Sequence, residues 1–190
     1  MEKEEPIDLT FLKHPVVWIV TIARLLIALY IFIDPFWGVV WSIVADWVDN
    51  LILVYISGIS RSQYQLWDKN VDWFAYVVEL SVAASYGLYL PFFLLLFWRF
   101  LGQFMFMRTH KRWVFVFFPN YFEVAFLWLV IFYPQQTMHI SITGNAGIWL
   151  IILIVAKEIN EIGLHLLLPK HPEWETGHRA KRFYHWLSGQ

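Results

Sequence analysis

The sequence predicts an all-α, polytopic integral membrane protein, a bundle of six transmembrane helices with both termini on the cytoplasmic side. Three observations predict this. Of 190 residues, 59% are hydrophobic and 20% aromatic, while only 15% are charged. That balance excludes an ordinary soluble domain and leaves little mass outside a bilayer. Apolar runs recur at lengths approaching the twenty or so residues that a helix needs to cross hydrocarbon. Finally, Lys and Arg collect in alternate connections between those runs. The net charge of −1 carries no signal, because sign is segregated along the chain. Cys is absent, so disulfides, thiolate chemistry and Cys-type zinc sites are excluded. Residues 1–190 read as one membrane domain, with an acidic segment over about 1–14 and a basic, aromatic tail over about 169–190.

The first span is expected from about Pro15 to Ile33 and the second from about Pro35 to Ser57. The chain starts Met1-Glu2-Lys3-Glu4-Glu5-Pro6 and lacks the basic flank of a signal peptide, so the first span reads as retained. A polar hairpin from Gly58 to Arg61 leads to a third span near Trp67 to Tyr86, then a fourth near Leu88 to Met107. The fifth ends at Tyr133 and starts near Trp113 or Tyr121. Pro119-Asn120 interrupts it, which suits a short interfacial helix before the break. The sixth runs from near Ala146 to Leu168.

Charge orients these spans. The connections near Asp34-Pro35, Ser85-Tyr86-Gly87 and Pro134 to Asn145 hold no Lys or Arg. The opposite side collects Lys3, Lys13, Arg61, Lys69, Arg108, Lys111, Arg112, Lys170, Arg179, Lys181 and Arg182. Positive-inside bias makes that side cytoplasmic; the expected location is a prokaryotic cytoplasmic membrane, with the site facing the cytoplasm. The tail, with Arg179, Lys181, Arg182 and Trp186, reads as a segment lying on anionic headgroups.

Four carboxylates flank the hairpin: Asp46 and Asp49 on one arm, Asp68 and Asp72 on the other. At about 100° per helical residue, Asp46 and Asp49 project within roughly 60° of each other, and Asp68 and Asp72 within roughly 40°. Antiparallel arms would bring all four together. Burying even one bare charge in hydrocarbon costs several kcal/mol, so a positive partner is required. A divalent metal is the simplest. The alternative is a set of structural ion pairs with Arg24, Lys69 and Arg61.

This stretch resembles the signature of the CDP-alcohol phosphatidyltransferase family, D-x-x-D-G-x-x-A-R followed after eight or nine residues by G-x-x-x-D-x-x-x-D. With Tyr55 to Gln63 between the halves, Asp46, Asp49, Asp68 and Asp72 fall on the four family aspartates. Thr21-Ile22-Ala23-Arg24-Leu25 is similar to the family's T-x-x-R-L opening. The resemblance implies a membrane transferase of phospholipid synthesis that moves a phosphatidyl-type group from a CDP-linked lipid or head group to an alcohol. It implies two Mg²⁺ or Mn²⁺ ions on Asp46, Asp49 and Asp68, with Asp72 beside them as the catalytic base. Asn50, Arg61, Arg24 and Arg99 are candidates for the substrate side. The chain departs from the pattern where Asn50, Leu53, Val54 and Tyr64 replace Gly, Ala, Arg and Gly. Bulky residues there narrow the room for a nucleotide or a neighbouring helix.

Other polar groups have plainer readings. Lys157, Glu161 and His165 form one stripe on the sixth span, with Glu158 and Asn160 beside it. Self-neutralisation is the expectation, against a polar cavity wall or a homodimer contact. Arg24 and Arg99 would either meet an anion or snorkel to the interface. Glu79 and Glu123 read as helix-packing groups, and the twelve Trp as interfacial and lipid-facing side chains. No nucleic-acid signature, phosphate-cradling Gly loop or haem-ligand spacing is present. Two readings compete with the enzyme: a catalytically diverged scaffold of the same fold, and a divalent-cation transporter.

Overall fold

The computed structural model describes residues 9–59, 61–109, 113–134 and 144–163, and every described element is helical. A 3₁₀ turn, Leu9–Lys13, precedes α1 (Pro15–Tyr30) and α2 (Pro35–Asn50). Proline stands first in both helices, where its missing N–H costs nothing and its fixed φ suits the turn. Between them, Ile31, Phe32 and Ile33 each donate to the carbonyl three residues back, a tightening that ends α1. Gly38 lets the start of α2 approach this corner, since a Cβ there would meet the Ile31 Cα at 2.6 Å.

The chain continues from α2 as a π-helical stretch, Leu51–Ile56, in which Ser57 N donates to Ile52 O. The wider turn turns Leu53 into a core of Phe11, Val17, Val20, Ile59, Tyr64 and Trp67. Gly58 then adopts φ 69° and reverses the chain. Helix α3 (Arg61–Ser85) starts six residues before the expected third span, because the polar run 61–65 contains no helix breaker. Its backbone helix is longer than its apolar part. The remaining helices are α4 (Tyr89–Thr109), α5 (Val114–Phe117), α6 (Tyr121–Phe132) and α7 (Gly144–Ile162). The break at Pro119-Asn120 falls where expected, and the Asn120 side chain caps α6 by accepting from Glu123 N.

Two compact units emerge. Among the described residues, 9–33 and 37–75 belong to the first, and 34–36 with 76–163 to the second. In the second unit Phe92 meets Phe122 and Phe126 edge-on, as Tyr76 meets Phe122. Gly102 permits close packing there, since a Cβ would lie 2.3 Å from Phe118 Cβ. Trp128 donates to the Ala146 carbonyl at 2.7 Å and ties α6 to α7.

Ionisable groups join an apolar core while large apolar side chains lie outside. The buried set includes Asp49, Asp68, Asp72, Glu79, Arg99, Gln103, Asn120 and Glu161, while Ile19, Leu26, Ile33, Trp47, Leu90 and Ile151 are widely exposed. Among the described residues, two helices are long and apolar enough to cross a membrane, Pro35–Val54 and Tyr89–Phe106. Pro15–Tyr30 and Tyr121–Phe132 are apolar but shorter. Helix α3 carries Asp68, Lys69, Asp72 and Glu79, and α7 carries Lys157, Glu158 and Glu161, more charge than an uninterrupted apolar span holds. So, among the described residues, two of the six expected spans combine length with apolarity. The acidic start, residues 135–143, His165, the basic tail and the side chain of Arg61 lie outside the described residues.

Candidate metal centre

Local periodicity builds the centre in the first unit. Thr21 and Arg24 are one turn apart on α1, so both face α3. Trp67 Nε1 donates to Thr21 Oγ1 at 2.9 Å, and that hydroxyl donates to Val17 O at 2.7 Å. This pin sets α1 against α3 just where Asp68 and Asp72, four residues apart, share a face. Asp46 and Asp49 close the last turns of α2.

The four aspartates surround one guanidinium. Arg24 Nη1 lies 3.1 Å from Asp46 Oδ1 and 2.9 Å from Asp49 Oδ2. Nη2 lies 2.7 Å from Asp72 Oδ1 and 3.9 Å from Asp68 Oδ1. Lys69 Nζ adds contacts of 3.0 Å to Asp68 Oδ2 and 3.4 Å to Asp72 Oδ2. The expected ion pairs of Arg24 and Lys69 are therefore formed. Snorkelling is not what Arg24 does, because four carboxylates hold its head.

The four are not equivalent. Asp49 is almost fully buried, at 2% exposure, and its Oδ1 accepts from the Tyr64 hydroxyl at 2.6 Å. Its Oδ2 faces Arg24 without hydrogen-bond alignment. Asp46, Asp68 and Asp72 can each offer one oxygen to an ion, and these oxygens lie within 4.8 Å of one another. Ligand oxygens around one octahedral Mg²⁺ stand about 3 to 4.2 Å apart, so shifts below ~1 Å would close the trio on an ion. Asp68 Oδ1 is buried and accepts no hydrogen bond. Carboxylate oxygens in this grouping could hold a metal ion.

Of the substrate-side candidates, Asn50 is half-buried where α2 passes into the π-helical stretch. Arg99 belongs to the second unit. It is buried rather than snorkelling, with its guanidinium 4.9 Å from the Phe115 ring and Nη1 donating to Phe118 O at 3.4 Å. The α7 stripe self-neutralises as expected, with Lys157 Nζ 2.9 Å from Glu161 Oε1, and Glu158 accepts from the Tyr121 hydroxyl. Glu123 accepts from the Tyr76 hydroxyl at 3.1 Å, a packing role. Trp67 and Trp128 depart from the lipid-facing expectation, being buried and hydrogen-bonded. Sequence reasoning missed two residues. Tyr64, a bulky departure from the motif, is the partner of Asp49, and Thr21, part of the motif's opening, is the acceptor that seats Trp67. A hydroxylated aromatic at a small-residue position was the available signal.

Fold and centre define an all-α protein whose largely buried acidic cluster, centred on an arginine, could hold a metal ion. Comparison with known proteins returns no match, whether to a family model, a curated protein or a solved structure.

Proposed function

We propose that this chain is a six-span membrane enzyme of the CDP-alcohol phosphatidyltransferase type, with its termini and its acidic centre on the cytoplasmic side. The observation that carries the reading is the convergence of Asp46, Asp68 and Asp72 within 4.8 Å, on helices whose spacing resembles that family's signature. The membrane setting draws support from the many exposed large apolar side chains and from the ionisable groups held inside. Large apolar side chains outside and ionised groups inside are what hydrocarbon solvent selects.

Asp46, Asp68 and Asp72 would hold the cation, which when bound neutralises phosphate oxygens and activates a hydroxyl. Arg24 and Lys69 offer planar and point-charge donors to phosphate oxygens. Asp72 is the proton acceptor for the incoming alcohol. Its two oxygens now face Arg24 and Lys69, so it takes a proton only as one of these turns to the substrate. The partners are the bilayer, a CDP-linked lipid and an alcohol. A second reading, the diverged scaffold, draws on Arg24 contacting all four aspartates, since such a network can be structural.

Metal-dependent release of CMP from CDP-diacylglycerol by the purified protein, tested over a panel of alcohols, separates the two. Asp72→Asn should lower turnover ~10²-fold or more even at saturating metal, with metal affinity weakened by the loss of one ligand charge. No CMP release with any alcohol would leave the scaffold. Labels at positions 110 and 180 should react from the cytoplasmic side, and one at 140 from the other.

A further inference from the structure

We propose that Arg99 and Gln103, one turn apart on α4, form a site in the second unit that binds a phosphate group, carried by a lipid headgroup or free in solution. This goes beyond the transferase reading and does not rest on it, since no residue of the acidic centre takes part.

Arg99 is a buried cation without an anion. It is only 7% exposed, and an arginine keeps its charge when buried. Its described partners are the Phe115 ring, 4.9 Å from the guanidinium, and the Phe118 carbonyl, 3.4 Å from Nη1. A ring face and one long hydrogen bond compensate a buried charge less well than an anion does. The carboxylates of the same unit are engaged elsewhere. Glu123 holds Tyr76, Glu158 holds Tyr121, Glu161 holds Lys157, and Glu79 has a partner as well.

The donors left over have the geometry of a fork. With Nη1 turned to Phe118 O, the edge formed by Nε and Nη2 remains, and Nε is enclosed without an acceptor. That edge presents two parallel N–H bonds, which match two oxygens of one phosphate. Gln103 follows one turn along the same face of α4, also 7% exposed, and its Nε2 is likewise enclosed without an acceptor. Enclosed donors forfeit their hydration, so an acceptor that reaches both gains what their burial cost. A carboxylate offers two oxygens in one plane, and the fork uses both. A tetrahedral phosphate has a further oxygen for an amide from the next turn. The surroundings are aromatic: the Trp98 and Phe118 rings lie 4.6 Å apart, and those of Phe106 and Phe115 4.9 Å apart. Because the donors are enclosed in this conformation, the anion seats when a covering ring moves. Trp98, 41% exposed, is the ring beside Arg99 with room to swing.

The test reads binding rather than turnover. The full chain is purified in a non-ionic detergent and phosphate-free buffer, and its Tm is followed by tryptophan fluorescence. The probes are dihexanoylphosphatidylglycerol, inorganic phosphate, and hexanoate as a carboxylate control. A phosphate probe at about a hundredfold excess over its Kd should raise Tm by roughly 5–10 °C. A rise with the lipid alone assigns a headgroup, and a rise with inorganic phosphate as well assigns the phosphate group by itself. No rise with either probe at millimolar concentration would overturn the proposal, and so would an equal rise with hexanoate. Arg99→Gln should lose the shift, and a shift that persists there would overturn the proposal, because the probe then binds elsewhere. Gln103→Glu supplies an internal carboxylate one turn from Arg99. It should melt above wild type without ligand and lose most of the phosphate shift. A full phosphate shift in Gln103→Glu would refute the site even if Arg99→Gln does not fold.

Discussion

Replacing Arg24 by Met removes the positive centre of a buried acidic cluster while keeping an unbranched side chain of similar length. The distances say which contacts matter. Asp49 and Asp72, at 2.9 and 2.7 Å, are close and poorly exposed. The Asp46 side chain is 52% exposed, so solvent screens its 3.1 Å contact and it adds little. Asp68, at 3.9 Å, is the most distant and keeps Lys69. Each close pair is worth a gross attraction of about 6 kcal/mol at an effective dielectric of ~20, before desolvation is set against it. Breaking a buried pair by removing one partner costs about 3–5 kcal/mol net. For a chain of this size that corresponds to a fall in Tm of roughly 6–20 °C.

The assay is thermal unfolding in nanodiscs with chelator present. Adding Mg²⁺ should then stabilise Arg24→Met more than wild type, because the ion relieves a repulsion that Arg24 partly offsets in wild type. Pairing Arg24→Met with Asp72→Asn should recover part of the loss. If Arg24→Met melts within ~2 °C of wild type without metal, the guanidinium is not the counter-charge of the cluster and the reasoning fails.

Tyr64→Phe should lower stability by about 1–3 kcal/mol in metal-free unfolding, since it leaves Asp49 Oδ1 buried without its donor. Gly102→Ala should cost about 1–3 kcal/mol, because its Cβ would sit 2.3 Å from Phe118 Cβ and α4 would have to move; an unchanged Tm would contradict that packing. Glu161→Ala strands Lys157, whose Nζ lies 2.9 Å from the lost carboxylate, so folding yield should fall more than turnover per folded molecule. Lost turnover at unchanged Tm would instead assign the α7 stripe to the site.

Features set by local spacing were legible from the chain alone. The apolar runs gave helices, Gly58 gave the reversal, and Pro119-Asn120 gave the break before α6. The four-residue interval from Lys157 to Glu161 gave their pair, and helical periodicity put each pair of aspartates on a shared face. Each follows from backbone geometry within one or two turns, so no knowledge of packing is needed.

Tertiary structure alone decided what meets those faces. Arg24 reaches Asp46 across 22 residues of chain and Asp72 across 48, and no periodicity of α1 specifies either contact. The Thr21–Trp67 hydrogen bond selects that docking. The sequence showed that Tyr64 and Leu53 were too large for the motif, but not where their volume would go. A side chain's size is fixed by its identity, whereas its direction is fixed by what packs around it. Here the π-helical turn after Asn50 carries Leu53 into the core, and the phenol of Tyr64 comes to rest on Asp49.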